Sequence, residues 1–138
     1  MKVETVLRNK PSRIVMVRVN ETIATAAKML SDEDVGALIV KDVCRSEGNV
    51  VIGMLSERDI VRALVRHGAP VLKMKVADLM SPHVISCRPE DTLESVRDLM
   101  TRHRIRHVPV FESGTLIGLV SIRDLIDYRI DAMDANAA

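Results

Sequence analysis

Two four-residue motifs share a chemical type and a spacing. Ser56-Glu57-Arg58-Asp59 and Ser121-Ile122-Arg123-Asp124 each set a hydroxyl three residues before a carboxylate. At a helix start this pair closes a capping box, the hydroxyl accepting a first-turn N–H and the acid reaching back to the cap's own N–H. The same pair suits a nucleoside. A carboxylate accepts charge-assisted bonds from both vicinal hydroxyls of a ribose, and the Ser hydroxyl and free N–H groups donate to ligand oxygens. Ser can cap while Asp faces a cleft, so the two roles coexist.

A second candidate is Arg102-His103-Arg104-Ile105-Arg106-His107, the one dense basic cluster. Cations at a helix C-terminus are favoured by its dipole, which is the plain reading of Arg102 to Arg104. Arg106 and His107 instead stand directly before the β-prone run Val108-Pro109-Val110, and an Arg fork bonds phosphate oxygens two at a time. His103 and His107 have the i, i+4 spacing of a helical metal pair, but a helix-to-strand change is expected between them, and no metal site follows. Cys44 and Cys87 lack ligand spacing and a neighbouring base. Neither GxxxxGK[ST] nor GxGxxG occurs. With no activated nucleophile and no acid–base pair, an enzyme is not expected.

The 138 residues are 47% hydrophobic and 28% charged, with a net charge of +1, which suits a folded core. Balanced charge, one Phe, one Tyr and no Trp give no basic field and no stacking platform for nucleic acid. Met1 to Lys10 has no apolar segment of signal-peptide type, and no run approaches the roughly 20 residues of a membrane span. A cytoplasmic protein with no membrane partner is expected.

The elements that must position these motifs come in two copies. Asn20 to Leu30 repeats in Glu90 to Met100, Ile52 to Ile60 in Ile117 to Leu125, and a lead-in, Val3 to Leu7, in Val76 to Met80. The first copy has the longer loop, Lys41 to Asn49. Short β-prone runs (14–17, 84–87) precede helices starting near Thr22 and at Asp91, where Glu94 supplies a cap carboxylate. Strands 37–40 and 107–111 then pair with 49–56 and 116–121 through turns holding Gly48 and Gly114. The last helices run from Ser56 to His67, closed by Gly68 and Pro70, and from Ser121 to about Met133. The order is strand, helix, strand, strand, helix, twice: an α/β chain of the α+β type, divided at 3–68 and 76–133.

A duplicated β-α-β-β-α unit resembles the tandem CBS domain pair, or Bateman module. The likeness is carried by Gly53-Met54-Leu55-Ser56-Glu57-Arg58-Asp59, by Gly118-Leu119-Val120-Ser121-Ile122-Arg123-Asp124 and by Arg106-His107-Val108-Pro109-Val110. It implies two units packed sheet to sheet with pseudo-twofold symmetry, and an adenine nucleotide such as AMP, ADP, ATP or NAD in a cleft between them. S-adenosylmethionine presents the same adenosine, and no cofactor is required. By position, Asp59 and Ser56 would hold the ribose, Arg106 and His107 the phosphate, and Ile14, Leu38, Met54, Val84 and Val108, with Pro109, the adenine. Asp124, Ser121 and Arg123 would form a second cleft. Gly36 and Ala37 replace Arg106 and His107 in the first copy, so the two clefts are expected to be unequal, the Asp59 cleft taking the phosphorylated ligand. The resemblance also implies a homodimer through the last helices (Ile60, Val61, Leu64; Leu125, Ile126, Ile130) and a separate effector protein. The alternative is an interaction module without a nucleotide.

Overall fold

The computed structural model describes residues 1–9, 14–44 and 48–128. Ile130 and the expected helix end near Met133 lie outside them, as do residues 45–47 of the expected loop. Among the described residues no helix is long and apolar enough to cross a membrane.

Residues 14–84 form one compact unit; residues 85–128 form the other, together with residues 1–9. In the first, β1 (Met16–Arg18) pairs parallel with β2 (Ala37–Cys44), and β2 pairs antiparallel with β3 (Gly48–Ser56). The expected loop from Lys41 is therefore largely strand. α2 (Ile23–Glu33) starts at Thr22, whose hydroxyl accepts the Thr25 N–H at 3.2 Å, and α3 (Glu57–His67) follows β3 directly. Gly68, at φ 70°, stops α3, and Pro70 sits in the first turn of the 3-10 helix Ala69–Lys73. Leu38, Val40, Leu55 and Val17 bury one sheet face against Ile23, Ala26, Leu30, Ile60 and Ala63 of the helices. Alternation then places Ile14, Met16, Ile39, Met54 and Ser56 on the opposite face.

The second unit repeats this plan with one strand fewer. β4 (His107–Glu112) and β5 (Thr115–Ser121) form a hairpin whose turn residues Ser113 and Gly114 both have positive φ, as a type I′ turn requires. The run 84–87 is not a strand; only Cys87 bridges to Val110, its N–H donating to Pro109 O and its C=O accepting the Phe111 N–H, both at 3.0 Å. The ladder goes no further because Pro89 has no N–H to add and the 88–91 turn leads the chain away. α5 (Leu93–His103) is capped by the Thr92 hydroxyl rather than by an Asp91–Glu94 box, while the Asp91 carboxylate accepts the Arg88 N–H at 2.8 Å. Residues 122–128 are helical. Val108, Val110, Val120, Cys87, Val96 and Met100 form this unit's core. Each hairpin is bulged at the same place, after Val40 and after Val110.

The lead-in helices are exchanged. α1 (Val3–Asn9) precedes the first copy yet packs in the unit of the second, and α4 (Val76–Leu79) does the reverse. Matching bonds hold them: Val3 N–H donates to Asp91 O and Glu4 N–H to Pro89 O, as Val76 N–H does to Glu21 O and Ala77 N–H to Val19 O. The compact units thus cut across the consecutive division at 3–68 and 76–133. The glycines of the strand motifs make room for these lead-ins. A Cβ on Gly118 would lie 2.6 Å from the Leu7 side chain; one on Gly53 would lie 2.6 Å from Ser81 O and 2.9 Å from Met80 Sδ. Met54 and Ser81 also exchange both backbone hydrogen bonds, at 3.0 and 2.8 Å.

This packing makes three substitutions informative. Gly53→Ala meets backbone and should lose about 1–3 kcal/mol, read as a lower denaturation midpoint. Gly118→Ala meets the far end of a flexible side chain and should lose less. Burial, then the nearby Asp91 carboxylate, pushes the Cys87 thiol from 9.0 up to about 12. An unfolded thiol ionises near its ordinary value, so the unfolded state binds fewer protons in that window and this group's contribution falls as pH rises from about 9 towards 12. The stability difference between wild type and Cys87→Ala, measured by urea unfolding, should therefore shrink with rising pH through that range.

Candidate functional site

Each Ser-x-x-Asp motif sits where the last strand of its unit becomes a helix. In the first, Asp59 N–H donates to Ser56 Oγ (3.2 Å), and Ser56 N–H donates to Asp59 Oδ2 (2.9 Å). In the second, Asp124 N–H donates to Ser121 Oγ (3.3 Å), while Asp124 Oδ2 accepts both the Ser121 N–H (2.9 Å) and the Ser121 hydroxyl (3.2 Å). Both capping boxes are formed. They differ in what remains: Asp59 is half-buried and its Oδ1 has no hydrogen-bond partner among the described residues, whereas Asp124 is only 8% exposed.

The junctions are tied to the preceding strand in the same way. Glu57 N–H donates to Gly36 O at 3.0 Å, and Ile122 N–H donates to Arg106 O at 2.8 Å. Ala37 lies opposite Ser56, and His107 opposite Ser121. Within its unit the second motif is therefore flanked by Arg106 and a half-buried His107, the first by Gly36 and Ala37, and this asymmetry is carried by the sequence. Arg106 and Arg123 are exposed, and the Arg106 guanidinium has no ion-pair partner among the described residues.

The apolar candidates divide by strand parity. Ile14 and Met54 share the face turned away from the helices, and Val84 is half-buried at the end of its unit. Leu38 and Val108 are fully buried in their units' cores, so neither presents a side chain to a ligand. The period of two explains the difference: Leu38 stands opposite Leu55, and Val108 opposite Val120, on the helix-facing side. Ile39 and Pro109, one residue on, have the parity of Met54 and Ser121. The Met80-Ser81 edge against Gly53 and Met54 belongs to none of the motifs; its signal in the sequence is the lead-in repeat, which matches Met80 with Leu7.

Arg104 ends α5 in the left-handed region at φ 54°, so exposed His103 and strand residue His107 do not share a helix face. Among the described residues no group of three or more His, Cys, Asp or Glu side chains could hold a metal ion.

A family pattern described as "CBS domain" matches residues 6–66 and 76–131. The mitochondrial CBS domain-containing protein CBSX3 of Arabidopsis thaliana is 35% identical over 109 residues, 78% of this chain and 52% of that protein, so the chain spans about half of that relative's length. A CBS-domain containing protein, ATU1752 of Agrobacterium tumefaciens, superposes with a TM-score of 0.86 at 36% identity, covering 93% of this chain and 92% of that one. The CBS domain protein PAE2072 of Pyrobaculum aerophilum, solved with AMP, superposes with a TM-score of 0.79 at 27% identity over the whole of both chains. With its matching strand–Ser-x-x-Asp–helix junctions and two matches to one family pattern, this chain belongs to the CBS domain family as a tandem pair.

Proposed function

We propose that the chain binds an adenine nucleotide without turnover and works as a ligand-sensing regulatory module. The observation that carries this reading is the half-committed carboxylate of Asp59: Oδ2 caps α3, while Oδ1 is left to accept ribose hydroxyls. Ser56, Ile14 and Met54 stand on the same sheet face, with Val84 at the end of the same unit. Arg106, with His107 beside it in sequence, is the proposed source of phosphate charge, its exposed guanidinium having no competing ion pair among the described residues. Asp124 is more buried and its Oδ2 is held twice, so the Ser121–Asp124 junction, Arg123 included, takes a nucleoside weakly or not at all. The AMP complex of the Pyrobaculum aerophilum relative supports adenosine as the common part of the ligand. AMP, ATP and NAD all carry it.

A ligand that binds one conformation of the chain better than another shifts the balance by no more than its differential affinity for the two states. That shift, or a change in the geometry of a homodimer, passes to a separate effector protein. Self-association is part of the reading because α3 leaves Val61 and Val65 open to solvent.

The rival reading, an interaction module in which both carboxylates only cap helices, is favoured by the two complete boxes. A thermal-shift panel separates the two. Adenosine nucleotides at a hundred times Kd should stabilise by about 2.7 kcal/mol, and GMP or GTP by much less. Asp59→Ala should abolish the shift, Arg106→Ala should reduce it, and Asp124→Ala should leave most of it. No shift with any adenosine compound, or equal shifts with guanine nucleotides, contradicts the proposal.

A further inference from the structure

We infer that the apolar groove between α5 and the 122–128 helix is a docking site for a short aliphatic segment of another protein. The inference rests on the separate effector proposed above and gives it a surface and a partner chemistry. Met1, Leu93 of α5, and Ile122, Leu125, Ile126 and Tyr128 line a groove of about 560 Å³, all within one compact unit. The other unit holds the counterpart and displays what such a groove takes. Met1 and Met74 stand in matching places, each C=O accepting the N–H of the first helical residue, from Leu93 at 3.0 Å and from Ile23 at 2.8 Å. There the 3-10 helix Ala69–Lys73 lies against both α2 and α3, and Val71 is fully buried in the core they share. Ile23, Ile60 and Ala63 are buried in that unit, whereas the matching Leu93, Leu125 and Tyr128 are only half-buried. Among the described residues no segment takes the place of Ala69–Lys73 in the second groove.

The chain's own repeat does not suit this groove. At the separation of Ser56 from Ser121, 65 residues, Ala69 to Lys73 match Asp134 to Ala138 in the sequence, and Val71 matches Asn136. An amide set among apolar side chains loses its water partners without replacement, whereas a branched aliphatic side chain is stabilised by the same burial. The occupant is therefore a segment from elsewhere that brings an aliphatic residue to the place of Val71. Ile126, 51% exposed, is the open edge of the surface it would cover. The rim adds a second requirement. Glu94 and Arg97, both exposed, line the groove where the first unit has Ala24 and Ala27. Charges of both signs beside an apolar floor suit a peptide, whose polar backbone and flanks can pair with them, and not a lipid tail.

Two-dimensional NMR of the full chain tests this, titrated with the peptide Gly-Ala-Pro-Val-Leu-Lys, which repeats residues 68–73. Saturable shifts are expected at the amides of Leu93, Arg97 and Ile126, and none at Ile23 and Ile60, whose groove is already filled. A peptide with Asp in place of its Val should bind roughly tenfold or more weakly. Ile126→Glu, at a position open to solvent, should abolish the shifts while its circular dichroism melt stays near that of wild type. No saturable shift, or equal binding of the Asp-bearing peptide, overturns the docking site. Binding that weakens as the protein concentration rises assigns the groove to a second copy and overturns it too. So does binding that tightens once residues 134–138 are deleted, which assigns the groove to this chain's own end. The nucleotide panel reads the Ser-x-x-Asp junctions separately, so failure here leaves ligand binding standing.

Discussion

A single carboxylate placed at the third residue of a helix governs this molecule's design. It must close the first turn, because the N–H groups there have no partner in the helix and the strand before it has ended. Asp59 and Asp124 do this with the same oxygen, Oδ2, on the same backbone N–H, that of the preceding Ser. Closing the turn with one oxygen fixes the direction of the other. A rigid, pre-aimed acceptor loses little freedom when a ligand hydroxyl docks on it, and this is the physical basis of the proposal that Asp59 takes a ribose.

Around that junction the two copies stay alike where geometry demands it and diverge where chemistry is at stake. The strand glycine is kept in both because a lead-in helix or its exit lies within 2.6 Å of where a Cβ would be. The bulge, the N-cap and the left-handed residue ending the first helix are kept as well, Asp34 and Arg104 having φ of 52° and 54°. The residues beside the junction are not: Gly36 and Ala37 in one copy, Arg106 and His107 in the other. Nor is the sign after the exposed apolar positions, Arg62 against Asp127. The frame is common to both copies, and the unequal positions are those on which the proposed difference between the two junctions rests.

The frame is legible in the sequence because its signals are local and occur twice. The 3.6 period of 23–30, the Ser-x-x-Asp caps and Gly114 in its turn each need only neighbours in the chain. What is not legible depends on distant partners. The exchange of α1 and α4 cannot be read from a repeat, because a lead-in fits either copy equally by pattern. Residues 84–87 have the composition of a strand but only one bridge partner, so composition misleads. Leu38 and Val108 suggest ligand contacts by apolar character, yet the parity set by Leu55 and Val120 sends them to the core. For the candidate site, the Asp and Ser positions are visible as motifs, while the difference in burial between Asp59 and Asp124 requires the fold.

Hydrogen–deuterium exchange with and without saturating AMP tests most directly whether Asp59 holds the ligand. Amides of residues 54–60 should exchange more slowly on binding, those of 106–108 should follow, and those of 121–125 should change less. Unaltered exchange at 54–60, or protection centred on 121–125 instead, would contradict the assignment of Asp59 as the carboxylate that grips the sugar.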